Sequence, residues 1–416
     1  MVKISDEYKV IVEKQDHFGW GLVHIDNFLV FIEKGLKGDE LVIKITNVKK
    51  RYAIATIKEI INSSLERIKP ICPYYDYCGG CQIMHQEYTY QLKFKEMKVK
   101  ELFLKYTNLQ NIKFYPILHD NKSYYRNKVI FHGNNDKLGF YKEKTHDIIS
   151  IPSCLLVEKE LDDIYRKIVS YQKNNHNTEI TDLMLRKTNL NEIMISVEGI
   201  IDDKQFLNSM NSVLIKSIYI NEKLVYGKES IIEEIYGMKF HILPKAFFQV
   251  NYDMMKKLYQ IVIDYYKKNK FNQILDLYCG TGTIGMLVSP YVGKVIGVEV
   301  VEDAIISAKR NKELNQISNI QFLLGKVENY IESFQEIDSI IVDPPRSGLD
   351  KVTIEHILKI EPKSIIYVSC DPNTLVRDLN ILSQKYNILE VHLVDMFPNT
   401  YHVECVSVLH RKSLEK

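Results

Sequence analysis

The stretch LDLYCGTGTIGM, residues 275–286, is where the fold can be read. An apolar run stops at a turn with glycines at 280 and 282, and a helical pattern follows. Glycine lets the backbone approach a ligand closely where a strand gives way to a helix. The same texture repeats downstream in KVIGVEV (294–300), IQFLLG (320–325), IDSIIVDPP (337–345) and SIIYVSC (364–370), with room for a helix between successive runs. Strands that are apolar on both faces and alternate with helices predict a parallel sheet covered on both sides. ILEVHLVDMF (388–397) and VECVSVLHR (403–411) lie too close together for a helical crossover and predict an antiparallel pair at one edge.

Ligands of such sheets bind in the crevice outside the carboxyl ends of the strands. The second strand ends in Glu299, about twenty residues beyond the glycine turn, where an acid can hydrogen-bond ribose hydroxyls. The third glycine of the dinucleotide fingerprint is missing, so no pyrophosphate is expected. A shortened glycine loop followed by an acid suits S-adenosylmethionine, because carboxylates tolerate its sulfonium charge. The fourth strand delivers Asp343 to the same crevice, and Pro344-Pro345 stiffens its exit. The fifth ends on Cys370, followed by Asp-Pro-Asn-Thr. A filler thiol would sit in mid-strand, so Cys370 is a candidate nucleophile.

Outside this region two other textures appear. Residues 1–60 read as five or so short strands with turns, a small β-barrel of the OB-like kind. Residues 61–235 are mixed α/β, and residues 236–416 form the alternating unit, giving three expected domains. Within the middle region, residues 86–106 read as a helix with Tyr88, Leu92, Val99, Phe103 and Tyr106 on one face. From Gln91 to Lys128 nine Lys/Arg stand against three acids, with aromatic residues interleaved. That pattern fits either a solvated basic face or a surface for RNA phosphates and unpaired bases. The composition, 45% hydrophobic and 26% charged, is that of a globular protein. The charged N-terminus and the absence of any apolar run long enough for a bilayer predict a cytoplasmic location. Four cysteines, Cys72, Cys78 and Cys81 in CPYYDYCGGC and then Cys154 in IPSC, could bind zinc or an iron–sulfur cluster. The spacing alone leans to zinc.

FFQVN (247–251), DLYCGTG (276–282), DPPRSG (343–348), SCDPNT (369–374) and HVEC (402–405), in that order, resemble the S-adenosylmethionine-dependent RNA uracil-5 methyltransferases. The first sixty residues resemble the TRAM domain, so the resemblance covers nearly the whole chain. It implies a Rossmann-like methyltransferase domain, Cys370 as the nucleophile that adds to C6 of uracil, and Glu404 as the base that removes the C5 proton. It also implies cofactor contacts from Gln249, Tyr278, Glu299 and Asp343. Arg126, in SYYRNKV, matches a motif of the family and is read as either facing RNA or bracing the barrel. Ribosomal members with this cysteine spacing carry a [4Fe–4S] cluster, which moves the expectation for Cys72, Cys78, Cys81 and Cys154 from zinc to iron–sulfur. The expected substrate is 23S ribosomal RNA, with no obligate protein partner. Transfer RNA is the first alternative. Cytosine-5 methylation, and a non-enzymatic iron–sulfur RNA-binding protein on the same fold, are the others.

Overall fold

The computed structural model describes residues 2–106, 111–134, 137–326, 329–330, 334 and 336–413. The chain divides into two compact units: residues 1–98, 141–147 and 397–401 form the first, and residues 99–140, 148–396 and 402–416 the second.

The first unit opens with six strands: β1 (Glu7–Ile11), β2 (Lys14–Gln15), β3 (Gly21–Ile25), β4 (Phe28–Ile32), β5 (Glu40–Val48) and β6 (Tyr52–Asn62). They form one sheet in the order β1-β5-β6-β4-β3-β2. β1 and β2 are its outer strands, yet only two residues join them. A flat six-stranded sheet would hold its edges about 24 Å apart, whereas three Cα steps span about 11 Å. The sheet therefore curls into a barrel. Inward-facing Val23, Val30, Ile32, Leu41, Ile43, Ile45, Ala53 and Ala55 fill it. Beyond the barrel, Tyr75 donates to the Gln82 carbonyl and lies 2.5 Å from His85 Nδ1 under the loop that carries three of the cysteines.

The predicted helix over 86–106 is observed as α1 (Tyr88–Tyr106). Leu92, Val99 and Phe103 are buried as expected, while the Tyr106 side chain lies outside the described residues. Two members of the basic run are not available to RNA. Lys95 is fully buried and donates to the Phe397 carbonyl, and buried Lys98 donates to the Tyr401 carbonyl. Their stems cover apolar surface while their ammonium groups close backbone acceptors, so charge density alone overstated the phosphate-binding face.

The second unit holds two further sheets and a hairpin. β7 (Lys113–Phe114) joins the sheet described last. β8 (Lys128–Asn134), β9 (Lys137–Tyr141), β10 (Ile148–Ile149), β11 (Glu179–Lys187), β12 (Ile193–Ile200), β13 (Ile215–Ile220) and β14 (Lys223–Gly227) form a seven-stranded sheet in the order β10-β9-β8-β11-β12-β13-β14. α2 (Lys159–Asn174) lays Leu161, Ile164, Tyr165 and Ile168 on it, with α3 (Asp203–Ser209) beside it. A hairpin, β15 (Ile231–Ile235) and β16 (Met238–Ile242), leads to α4 (Tyr252–Lys268). Asn251 caps that helix, and Met254, Met255, Leu258, Tyr259, Val262, Ile263 and Tyr266 recur on its buried face.

The alternating region then runs β17 (Phe271–Leu277), α5 (Thr283–Val288), β18 (Val292–Glu299), α6 (Glu302–Leu314), β19 (Ile320–Leu324), β20 (Ser339–Val342), α7 (Lys351–Ile360), β21 (Ser364–Ser369), α8 (Pro372–Leu382), β22 (Tyr386–Val394) and β23 (Glu404–Arg411). The sheet order is β19-β18-β17-β20-β21-β23-β22-β7. β17 to β21 are mutually parallel and β23 is antiparallel to both β21 and β22. The antiparallel pair expected at the edge is present, and β7 adds one short strand outside it, parallel to β22. Among the described residues no helix is long and apolar enough to cross a membrane.

Candidate active site

The ladders of this last sheet set the heights of the residues that leave it. Leu277 pairs with Val298 on one side and Val342 on the other, so Tyr278, Glu299 and Asp343 emerge side by side. Val342 pairs with Tyr367, which brings Cys370 out on the same edge two steps further along. β23 runs the other way, with Cys405 opposite Ser369 and Glu404 opposite Val394. The β21–β23 ladder ends at the Ser369–Cys405 pair, so Cys370 and Glu404 stand one residue beyond it on adjacent strands, near enough for the Glu404 charge to act on the thiol.

The glycine turn is built from left-handed backbone: φ is 61° at Tyr278, 53° at Gly280 and 77° at Gly282. A Cβ at Gly282 would lie 2.4 Å from the Phe322 ring, whereas one at Gly280 would meet nothing within 4 Å. Gly280 thus borders open space, and Gly282 is wedged against the core. Glu299 holds the turn in place. Its Oε2 accepts from Gly280 N–H (3.1 Å), and its Oε1 from Val300 and Val301 N–H (2.8 and 2.9 Å). A carboxylate offers about four acceptor positions, so Glu299 keeps about one for a ligand rather than a free pair. Asp276 accepts from Gly285 N–H through Oδ2 (2.9 Å), while its buried Oδ1 has no partner. An unpaired buried carboxylate oxygen beside an open glycine turn, with Glu299 and Asp343 alongside, fits a cationic, hydroxyl-bearing nucleoside such as S-adenosylmethionine. Tyr278 contributes its ring to this edge, with its hydroxyl 3.3 Å from Asp350 and Thr353 at the start of α7. Gln249 is buried in the segment before α4, which is pinned by hydrogen bonds from Arg186 to the Phe248 carbonyl and from Asn127 N–H to the Val250 carbonyl.

Local chemistry explains SCDPNT. Asp371 caps α8 by accepting from Asn373 N–H (2.8 Å), Pro372 occupies the first helical turn, and Ser369 donates to the Asp371 carbonyl. Thr374 donates to the Arg346 carbonyl, and Arg377 donates to the carbonyls of Ser347 and Leu349. These bonds staple the DPPRSG loop to α8, with Cys370 just ahead of the helix N-terminus.

Electrostatics binds the group together. Burial, then Glu404, then Asp343 push the Cys370 thiol up to about 12, and Arg346 opposes them. Burial and Asp343 raise Glu404 to about 8, again with Arg346 opposing. Burial raises Asp343 to about 7. Asp276 also rises to about 7, through burial and the charges of Asp343 and Glu299. At neutral pH the resting site therefore keeps a proton on the thiol and shares others among carboxyls that ordinarily titrate near 4. Three contributors were not singled out in the sequence. Arg346 supplies the positive charge facing Cys370 and Glu404. Burial, and after it the charges of Asp343, Asp276 and Glu404, raise the hydroxyl of Tyr259, which lies on the buried face of α4. Phe247 holds its ring 75% exposed two residues before Gln249. DPPRSG carries Arg346 in plain view, whereas Tyr259 sits in an ordinary amphipathic stripe.

The four expected cluster ligands divide between the units. Cys72, Cys78 and Cys81 are half-buried in one loop of the first; Gly80 N–H points at Cys78 Sγ (3.4 Å), and burial with nearby Cys72 raises the Cys78 thiol. Cys154 belongs to the second unit, where it packs against the core of the central sheet. Among the described residues no three His, Cys, Asp or Glu side chains converge as a metal site. Arg126 is half-buried, with Nε donating to the Lys128 carbonyl (3.2 Å).

The sequence profile of tRNA (Uracil-5-)-methyltransferase matches residues 87–412, and that of the TRAM domain matches residues 2–58. The chain is 35% identical to an uncharacterized RNA methyltransferase of Fusobacterium nucleatum over 99% of this chain and 97% of that one. It is 34% identical to one from Staphylococcus aureus over 95% and 96%. Among solved structures, the tRNA (uracil-54, C5)-methyltransferase of Pyrococcus abyssi, in complex with S-adenosyl-L-homocysteine, superposes with a TM-score of 0.79 at 25% identity, covering 97% of this chain and 100% of that one. The family model spans most of the chain and the relatives match it nearly end to end: the chain belongs to the tRNA (uracil-5-)-methyltransferase family and is an S-adenosylmethionine-dependent RNA methyltransferase.

Proposed function

We propose that this enzyme methylates C5 of uridine in 23S ribosomal RNA through a covalent bond between Cys370 and C6. The observation that supports the chemistry is the β21–β23 register, which ends one residue short of Cys370 and Glu404, with Asp343 leaving the neighbouring strand β20 and the charge of Arg346 acting on both. When bound, S-adenosylmethionine supplies an electrophilic methyl group and a positive charge; Gln249, Tyr278, Glu299 and Asp343 are the residues assigned to hold it. Cys370 first gives up its proton to the Asp343 carboxylate, so that Glu404 remains the acceptor for the later C5 proton and Asp343 returns its own when the thiolate leaves. A proton moved from a thiol near 12 to an acid near 7 climbs about five pKa units, roughly 7 kcal/mol, which an enzymatic barrier accommodates. Sγ then bonds to C6, and the C5–C6 π pair moves onto C5 and O4 as an enolate, which accepts the methyl group. Glu404 takes the C5 proton, the C5–C6 double bond re-forms, and the Cys370–C6 bond breaks. A paired uridine cannot reach this edge, so the base is flipped out or drawn from a loop. Exposed Phe247 offers a ring on which an unpaired base can stack.

Transfer RNA is the second reading, favoured by the substrate of the Pyrococcus enzyme. That superposition leaves 3% of this chain unmatched, roughly a dozen residues, fewer than the 57 spanned by the TRAM match at 2–58. A barrel therefore does not by itself mark a ribosomal enzyme, and the ribosomal assignment rests on the four cysteines. We assign these to a [4Fe–4S] cluster with a structural role, held by Cys72, Cys78, Cys81 and Cys154. The working division is a barrel over 1–60, a central region over 61–235 and a methyltransferase domain over 236–416, acting in the cytoplasm. Incubating the enzyme and labelled S-adenosylmethionine with 23S RNA and with tRNA, each lacking 5-methyluridine, and mapping the labelled nucleotide tests the substrate. Label confined to tRNA overturns the ribosomal reading, and label in cytosine overturns the base. Protein purified without oxygen should be brown, with iron and sulfide in equal amounts; colourless protein holding zinc refutes the cluster.

A further inference from the structure

A polar pocket of about 150 Å³ lies on the second unit between the start of α4 and the end of β11. None of Cys370, Glu404, Asp343 or Glu299 lines it. Its wall includes Asn127, Thr188, Asn191, Tyr252 and Asp253, with Tyr124 at its rim. Asn127 is only 4% exposed, yet its Oδ1 has no hydrogen-bond partner. Its backbone is fully engaged, N–H with the Val250 carbonyl and C=O with Lys187 N–H (2.9 Å each), which fixes the point from which the side chain projects. Burying a carboxamide oxygen without a partner is costly, and a volume that would hold about five waters is room for a small planar polar group. Tyr124 has a left-handed backbone (φ 55°) held by N–H to the Leu155 carbonyl, which leaves its ring 43% exposed under the Lys159 ammonium, 4.9 Å from the ring centre. The segment from Val250 to Asp253 joins this pocket to Gln249.

We propose that this pocket takes one unpaired base of the substrate RNA, distinct from the uridine that is methylated. A carboxamide pairs with the edge of a base that offers a donor beside an acceptor, and an exposed tyrosine stacks on its face. The proposal rests on RNA being the substrate, which turnover by the wild-type enzyme checks independently. The test uses full-length enzyme and a minimal RNA that it methylates, with each base other than the target removed in turn to leave an abasic site. One such RNA should raise KM about tenfold or more, the scale of a lost base contact. Asn127→Ala should raise KM for intact RNA similarly, with kcat and S-adenosylmethionine affinity within twofold of wild type. Combined with the sensitive abasic RNA it should add nothing further. Since an orphaned polar group is removed, the thermal midpoint of Asn127→Ala without RNA should be no lower than wild type. Should that variant not fold, Tyr124→Ala must show the same non-additivity with the same base. An unchanged KM for Asn127→Ala, or effects that multiply with every abasic position, shows a pocket filled by water alone and overturns the proposal.

Discussion

The Cys370 thiol can be interrogated without RNA. With its pKa near 12, about one molecule in ten thousand carries the thiolate at pH 8, against roughly a quarter for an ordinary cysteine near 8.5. That is about a 2,000-fold deficit. Thiolates of higher pKa are intrinsically better nucleophiles, with a Brønsted slope of about 0.4–0.5, which returns roughly 25- to 55-fold over 3.5 pKa units. The net expectation is reaction with a small neutral pyridyl disulfide about 10²-fold slower than for an exposed model thiol. The rate at Cys370 is followed by peptide mass spectrometry, because the chain has seven cysteines. Slow access alone would look similar at one pH, so slope and charge must separate the causes. The logarithm of the rate should climb about one unit per pH unit from 7 to 10 without a plateau. Glu404→Gln, which removes a negative neighbour, should speed the reaction at pH 9, and Arg346→Ala should slow it. A plateau above pH 8.5, or two variants that move the rate in the same direction, would refute this electrostatic account of the resting site.

Glu404→Gln should also accumulate an RNA adduct stable on denaturing gels, because the C5 proton stays after methylation; turnover without any adduct removes Glu404 from the role of base. The two turn glycines should part company. Gly282→Ala forces a Cβ to 2.4 Å from Phe322 at positive φ and should destabilise by roughly 2–4 kcal/mol. Gly280→Ala meets open space, costs about 1 kcal/mol of backbone strain, and should act mainly by weakening S-adenosylmethionine binding, read by calorimetry. The raised carboxyls also set a pH dependence of stability. Glu404 near 8, with Asp343 and Asp276 near 7, hold protons in the folded state that the unfolded chain releases near 4. The folded state thus binds more protons between about pH 4 and 8, and their contribution to stability, complete below pH 4, is lost as pH rises through 7–8. Glu404→Gln should therefore raise the thermal midpoint at pH 8.5 more than at pH 5; an equal shift at both would contradict the assigned burial.

Much of this protein is legible one segment at a time. Apolar β-branched runs and the glycine turn at 280 and 282 are local chemistry, and they predicted the strands and the turn found; the Asp371 cap is equally local, though it was recognised only in the structure. Cys370 stood out for the same reason, since a thiol at a strand end is conspicuous within five residues. Local chemistry misjudged Lys95 and Lys98, whose charges looked solvent-facing until the 397–401 segment supplied carbonyls to bury them. It also could not derive the nearness of Cys370 to Glu404, which depends on β23 inserting antiparallel between β21 and β22. Nor could it show that Glu299 spends most of its acceptors on its own turn. Side-chain type and periodicity belong to the chain and can be read along it. Proton affinity, spare hydrogen-bonding capacity and the nearness of two residues thirty-four positions apart are set by what burial and strand order bring beside them, and those exist only once the sheet has formed.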